Sequence, residues 1–204
     1  MKIKKLLKYL KRRRFDCYAA EMIPIRMIIS IGIIAGISLL LAVGYATMSV
    51  KHAENMIKND ILSLQSQLYL MTATGTPRDV DEIAAAEGTK RVQIFTLPSS
   101  IQYLSFGVDP DKNNTGILSP GLDEDGAVIF YKVSGSSKNV IWLSQNQIRF
   151  REGVFNQTKN SWDINKEPQG FILESPGEVK ISFELVKQQD EFYILIQATD
   201  IYDL

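Results

Sequence analysis

The stretch from Met27 to Ala46 reads MIISIGIIAGISLLLAVGYA, and it decides how the rest of the chain is interpreted. It contains no charged residue. A helix of about 20 residues, at ~1.5 Å rise per residue, crosses the hydrocarbon core of a bilayer. We therefore expect a transmembrane helix. A cleaved secretory signal is the main alternative, but the apolar part of such a signal runs only about 7–15 residues.

The segment before this stretch is strongly basic. The first 14 residues read MKIKKLLKYLKRRR and carry eight Lys or Arg and no acid. Basic flanks of this density stay on the cytoplasmic side of a membrane. We therefore expect a single-pass protein of the cell membrane, with its N-terminus cytoplasmic and its C-terminal domain extracellular. The basic run also suits contact with anionic lipid headgroups, so membrane lipid is the first predicted partner.

The helical pattern continues beyond the apolar stretch. Apolar residues three or four positions apart form a stripe at Val50, Ala53, Ile57, Ile61, Leu64, Leu68 and Met71, a coiled-coil-like spacing. Gly75-Thr76-Pro77 then predicts the end of the helix at Thr74. The stripe packs either against another helix or against the chain's own C-terminal domain, and we favour the second interpretation.

The chain therefore divides into four predicted segments. Residues 1–20 form a basic cytoplasmic segment, and residues 21–74 form the transmembrane helix (core 27–46) with its amphipathic extension. A linker covers residues 75–90, and an extracellular domain covers residues 91–204. Eight apolar, partly alternating runs follow the linker, and this number of strands predicts a β-sandwich or a small barrel, of which we favour the sandwich. The expected fold class is α+β: a long helix followed by an all-β head.

The predicted strands are Val92–Leu97, Ile101–Val108, Ala127–Val133, Val140–Ser144, Gln147–Arg151, Phe171–Glu174, Glu178–Lys187 and Glu191–Ala198. Gln188-Gln189-Asp190 joins the last two strands and predicts a hairpin.

Composition narrows the function. Beyond the first 14 residues, 15 basic residues face 23 acidic ones, which argues against nucleic-acid binding. The chain has one cysteine, Cys17, and one histidine, His52, predicted on opposite sides of the membrane. A zinc site or a Cys–His nucleophile is therefore not expected. Neither a phosphate-binding Gly loop nor a G-x-S-x-G motif is present, so we do not expect an enzyme.

One acidic loop is the best metal candidate. Asp109, Asp111 and Asn113 alternate in DPDKNN, and Asp123 or Asp125 follows in the next turn. Oxygen ligands at alternate positions suit Ca²⁺. The fit to an EF-hand loop is poor, and an ordinary acidic surface loop is the alternative. Asp109, Asp111, Asn113 and Asp123 are the candidate calcium ligands, and no other cofactor is expected.

Two further patterns predict modification and association. Asn113-Asn114-Thr115 and Asn156-Gln157-Thr158 are N-glycosylation sequons. Gly32 and Gly36 form a small-xxx-small pair that lets membrane helices approach closely. This pair predicts homo- or hetero-association through the N-terminal helix, although Gly is also simply frequent in membrane helices.

Three aromatic residues of the head are left with two interpretations. Tyr103, Trp142 and Trp162 are candidates for a carbohydrate platform or for core packing, and core packing is favoured.

A basic leader, one apolar helix, its amphipathic extension and a β-rich head together resemble archaeal type IV pilin-like proteins and archaellins. The segments IQYLSFGVDPD (101–111) and GAVIFYKVSGSSKNVIWL (126–143) also look like membrane-anchored proteins of methanogenic archaea. The resemblance implies a structural or accessory subunit of a cell-surface assembly. The alternative is a membrane-tethered binding module that recognises a glycan or a partner protein.

Overall fold

The structure is a computed structural model, and it describes residues 3–82, 85–119, 126–143, 149–165 and 170–202, with side chains described between residues 24 and 197 of these ranges. The chain divides into two compact units, Met1–Ser49 and Val50–Leu204. One helix, α1, covers Ile3–Thr74 and belongs to both units. The remaining described elements are strands, so the chain is α+β, with one long helix followed by a mostly β region.

In the first unit, every described side chain from Pro24 to Ser49 is exposed. The apolar part of α1 is long and apolar enough to cross a membrane, and none of it is buried against the protein. A helix of this kind near an N-terminus can be either a membrane anchor or a secretory signal. Because α1 begins at Ile3, Pro24 lies in the interior of the helix. A proline there removes one backbone hydrogen bond and favours a kink.

The described strands of the second unit form two sheets. They are β1 (Arg78–Asp79), β2 (Lys90–Leu97), β3 (Ile101–Phe106), β4 (Val128–Val133), β5 (Asn139–Trp142), β6 (Arg149–Asn156), β7 (Ser161–Ile164), β8 (Phe171–Leu173), β9 (Gly177–Gln188) and β10 (Glu191–Tyr202). The large sheet has the order β1-β9-β10-β6-β7, and β2 also pairs with β9. The small sheet has the order β5-β4-β3-β8.

The pairings follow from the sequence pattern. β9 and β10 form an antiparallel hairpin in which Gln188 pairs with Glu191, leaving the two-residue loop Gln189-Asp190. Both loop residues have positive φ, 48° and 68°, as a type I′ turn requires. The predicted hairpin is therefore confirmed. β1 pairs in parallel with β9, and β6 pairs in parallel with β10. The alternation of apolar and polar residues along one strand does not predict which strand it pairs with or in which direction.

The helical stripe lies in the core of this unit. Ala53, Ile57, Ile61, Leu64, Leu68 and Met71 are all buried, and Val50 packs against them. They share one apolar cluster with residues of both sheets, including Phe95, Phe106, Phe150 and Phe183. Three of these rings meet Phe106 edge to face at centroid distances of 5.6–5.8 Å. The preference for packing against the chain's own head is confirmed.

Polar side chains on either side of the stripe contact the outer strand of each sheet. Asp60 Oδ2 accepts a hydrogen bond from the Thr96 amide of β2 at 3.4 Å. On the other side, Gln65 Nε2 donates to the Trp142 carbonyl of β5 at 3.2 Å. Because β2 and β5 each pair on one side only within the described residues, these contacts cover backbone groups that an exposed strand edge would leave free.

The segment predicted as a linker, residues 75–90, contains one short strand. The helix does end at Thr74, and a Cβ on Gly75 would clash with the Met71 carbonyl oxygen. The following segment, however, contains β1, and Arg78 and Val80 are buried. The predicted strands did not include β1 or β7, which have two and four residues. The sandwich arrangement of the head stays a prediction.

Candidate functional site: a paired-charge cluster beside the 107–119 loop

The acidic loop between β3 and β4 meets two lysines of the small sheet. Lys132 Nζ of β4 lies 3.1 Å from Asp111 Oδ2. Lys138 Nζ, in the turn before β5, lies 2.6 Å from Asp109 Oδ2 and also donates to the Asp111 carbonyl at 3.0 Å. All four side chains are largely buried. We call Asp109, Asp111, Lys132 and Lys138 the paired-charge cluster.

Asp111 organises the loop around itself. Its Oδ1 accepts the Thr115 amide at 2.7 Å, and its Oδ2 accepts the Gly116 amide at 2.9 Å. Burial raises the pKa of this carboxyl, but the Gly116 amide, the Lys132 ammonium and the Thr115 amide together outweigh it, so the pKa of Asp111 lies below its ordinary 3.8. The carboxylate is thus held ionised by donors that the loop itself supplies.

Tyr103 lies beside this cluster, since it pairs directly with Lys132 across β3 and β4. Its side chain is buried, and its hydroxyl has no hydrogen-bond partner within the described ranges. Burial, followed by the nearby charges of Asp109 and Asp111, raises the pKa of the Tyr103 hydroxyl well above its usual range. The phenol therefore stays neutral, and Tyr103 is a core residue rather than part of a carbohydrate platform.

The predicted calcium ligands are only partly brought together. Asp109 and Asp111 are neighbours, but each is paired with a lysine, and the Asn113 side chain is exposed. Asp123 and the alternative Asp125 lie outside the described residues. In the part of the chain that the structure describes, no group of three or more His, Cys, Asp or Glu residues is placed to hold a metal. Calcium binding stays a prediction, and it would require displacing both ammonium groups.

The ion pairs of the cluster favour a structural role for the 107–119 loop over a catalytic role. Two ammonium groups neutralise two carboxylates, so the site has little net charge with which to attract an ion. Buried pairs of this kind need nearly complete hydrogen bonding to be tolerated. Asp111 meets that condition with donors from Thr115, Gly116 and Lys132, and the arrangement fixes the 107–119 loop on the outer face of the small sheet.

A second charged group, on the large sheet, was not found from the sequence. Glu184 of β9 is buried and accepts Arg78 Nε at 2.8 Å and Arg78 Nη2 at 3.1 Å. Its oxygens also accept the Gly88 amide at 3.1 Å and Gln197 Nε2 at 2.8 Å. Arg78 Nη2 donates further to the Trp162 carbonyl at 2.6 Å. This network attaches the segment around β1 to the large sheet and to β7.

No local sequence signal marks this network. Glu184 stands at a polar position of the alternation from Val179 to Leu185, where an exposed side chain is expected. The partner, Arg78, is 106 residues away in the chain, and a single sequence does not identify a contact over that separation.

The remaining predicted site residues are placed as follows. A Cβ on Gly32 or Gly36 would meet nothing within 4 Å, so both positions present open helix surface. Asn156 is half-buried and hydrogen-bonded, unlike the exposed Asn113. Trp142 is 63% exposed on β5, whereas Trp162 is half-buried and meets Phe155 edge to face.

Comparison with known proteins adds no assignment: the chain matches no protein-family model, no curated protein and no solved structure.

Proposed function

We propose that this chain is a single-pass membrane protein whose extracellular head is a structural or accessory subunit of a surface assembly, similar in architecture to archaeal pilins. The observation that supports it is the change in character along α1. From Pro24 to Ser49 the helix is apolar and exposed on all sides, whereas from Val50 to Met71 its apolar stripe is buried in the β domain. A helix apolar all round needs a lipid or protein environment.

The buried stripe makes residues 50–74 of α1 an integral part of the head. A segment that only tethered a binding domain would need no apolar contact with it. The open surfaces at Gly32 and Gly36 leave room for a second helix to approach the apolar half. These features favour an assembly subunit, in which helices associate in the membrane and heads are presented outside.

The proposed orientation is testable with the single cysteine of the chain, Cys17. A membrane-impermeant maleimide applied to intact cells is expected to leave Cys17 unlabelled, and permeabilisation is expected to expose it. The matched variant combines Cys17→Ala with Ser175→Cys, at an exposed residue of the head. That variant is expected to react in intact cells. Labelling of Cys17 and protection of the head cysteine would place the head in the cytoplasm and refute the proposal.

Assembly is tested separately from orientation. Material sheared from native cells is centrifuged, and a subunit of a filament is expected in the pellet as polymer. Intact-mass measurement of the same chain from native membranes reports whether residues have been removed from its N-terminus. A chain that stays in the membrane fraction as a monomer after shearing, under conditions that release other surface filaments, contradicts the assembly role.

One observation favours a second candidate, a membrane-tethered binding module. Trp142 and Val140 are 63% and 43% exposed on β5, and an exposed Trp offers a flat face to a sugar ring or a partner's apolar side chain. A Trp142→Ala variant separates the two candidates. Loss of glycan or partner binding with unchanged assembly supports the binding module, and unchanged binding removes the observation on which it rests.

A further inference from the structure

The two N-glycosylation sequons lie in very different environments. Asn156 ends β6, and both the nitrogen and the oxygen of its side-chain amide are hydrogen-bonded. Its Nδ2 donates to Asp163 Oδ2 at 2.8 Å, and its Oδ1 accepts the amides of Thr158 and Lys159 at 3.0 and 3.2 Å. The side chain therefore closes the turn between β6 and β7 as an Asx turn does.

The surrounding hairpin strengthens this constraint. Asn156 pairs with Ser161 in the β6–β7 ladder, so the whole sequon forms the turn of a tight hairpin. Lys159 Nζ lies 3.2 Å from Asp163 Oδ2. Burial raises the pKa of Asp163, but the hydrogen bonds from Asn156 and Lys159 outweigh it and lower that pKa. The acceptor of the Asn156 amide is thus ionised and held in place, and releasing the amide nitrogen breaks a charge-assisted bond.

Asn113 has neither constraint. Its side chain is exposed, and within the described residues it makes no hydrogen bond. It lies in the 107–119 loop, outside any strand, and Asn114 and Gly116 beside it have positive φ. The Thr115 hydroxyl makes only long contacts, 3.4 Å to Asp111 Oδ1 and 3.3 Å from the Ile117 amide. Both groups that define the sequon are available at the surface.

We propose that the folded head accepts an N-linked glycan at Asn113 and excludes one at Asn156, which serves as a structural turn residue. In the transfer, Asn113 Nδ2 forms a bond to the anomeric carbon of an oligosaccharide carried on a polyprenyl pyrophosphate. The bond between that carbon and the phosphate oxygen breaks, the lipid pyrophosphate leaves with the bonding electrons, and Nδ2 gives up one proton. In the cell this modification rests on the proposed extracellular position of the head.

The test uses the full chain in detergent, an oligosaccharyltransferase that accepts Asn-x-Thr sequons, and a polyprenyl-pyrophosphate oligosaccharide as donor. Peptide mapping by mass spectrometry gives the occupancy of each asparagine. Occupancy at Asn113 is expected to exceed that at Asn156 by roughly tenfold or more, because three hydrogen bonds must open at Asn156. Thr115→Ala is expected to abolish the modification, and its matched control Thr158→Ala is expected to leave it unchanged.

A third variant tests the cause of the selectivity. Asp163→Ala removes the acceptor of the Asn156 amide nitrogen and is expected to raise occupancy at Asn156 without changing Asn113. Equal occupancy of the two sites in the unaltered chain, or no glycan at Asn113, overturns the inference. Because enzyme and donor are added to purified protein, this result does not depend on membrane orientation, which the cysteine labelling measures independently.

Discussion

The packing of the helical stripe into the head predicts a sharp difference between two adjacent residues. Ile61 is fully buried in the core, whereas its neighbour Leu62 is 43% exposed on the opposite face of α1. Ile61→Ala removes three carbon atoms, which at ~0.8 kcal/mol each costs about 2.4 kcal/mol in transfer free energy. The remaining cavity brings the expected loss to about 3 kcal/mol, and Leu62→Ala is expected to cost less than about 1 kcal/mol.

The free energy of unfolding of the head is measured by urea titration of the full chain in detergent. Fluorescence of Trp142 and Trp162, the two tryptophans of the chain, reports unfolding of the β domain and does not detect the apolar N-terminal part of the helix directly. The Ile61→Ala variant is expected to shift the midpoint to lower urea with an unchanged slope.

The comparison between the variants decides the question. If residues 50–74 formed a separate stalk, neither substitution would change the unfolding of the β domain. Equal small effects of Ile61→Ala and Leu62→Ala, with cooperative unfolding of the head retained, would therefore refute the reasoning that the helix belongs to the core of the head. Equal large effects would show that the opposite face of α1 is also buried, by contacts outside those described.

Three further predictions concern the charged groups. Glu184→Gln is expected to destabilise the head by about 3 kcal/mol, because it leaves the buried Arg78 guanidinium uncompensated. In a double-mutant cycle measured by urea titration, Arg78→Met is expected to reduce the free energy of unfolding by less when residue 184 is already Gln. Additive losses of free energy would contradict the pairing. Because the folded-state pKa of Asp111 is depressed, its contribution to stability is present above the unfolded value near 3.8 and is lost as pH falls through the folded value. Asp111→Asn is therefore expected to weaken the fall of the melting temperature with decreasing pH below pH 4. An unchanged pH dependence in this variant would exclude this role for Asp111. Finally, Lys132 and Lys138 form ion pairs with the carboxylates of the paired-charge cluster. The melting temperature is therefore expected to be the same in calcium and in a chelator. A calcium-dependent rise in melting temperature would contradict this expectation and support the predicted calcium ligands.

The helix and the long strands could be predicted from the sequence because their signals are local. The stripe from Val50 to Met71 has helical spacing, and Gly75 with Pro77 stops it. The alternation from Val179 to Leu185 likewise predicted β9, which extends only a few residues further at each end. In each case, the periodicity within one segment carries enough information to identify the element.

The parts that were missed depend on contacts between distant segments. β1 has no pattern of its own, and it pairs with β9 at Arg78↔Val186, far along the chain. The chemical environment of the acidic loop likewise depends on residues that are distant in the sequence. Alternating Asp109 and Asp111 suggested a metal, and only the fold reveals that Lys132 and Lys138 are adjacent. Local spacing identifies candidate ligands but does not identify the cation that meets them.

The head lacks internal disulfides, because the chain's one cysteine is Cys17, so its rigidity must come from packing and from buried polar networks. The two charged groups act at places where the apolar core does not reach. The Arg78–Glu184 network holds the segment after the helix to the large sheet, and the paired-charge cluster holds the 107–119 loop to the small sheet. Asp60 contacts the large sheet and Gln65 contacts the small sheet. The apolar stripe beside them is buried in the core, so residues 53–71 of α1 are attached to the head along several turns. A helix that served only as a loose tether would not need these contacts, so residues 50–74 of α1 belong structurally to the head.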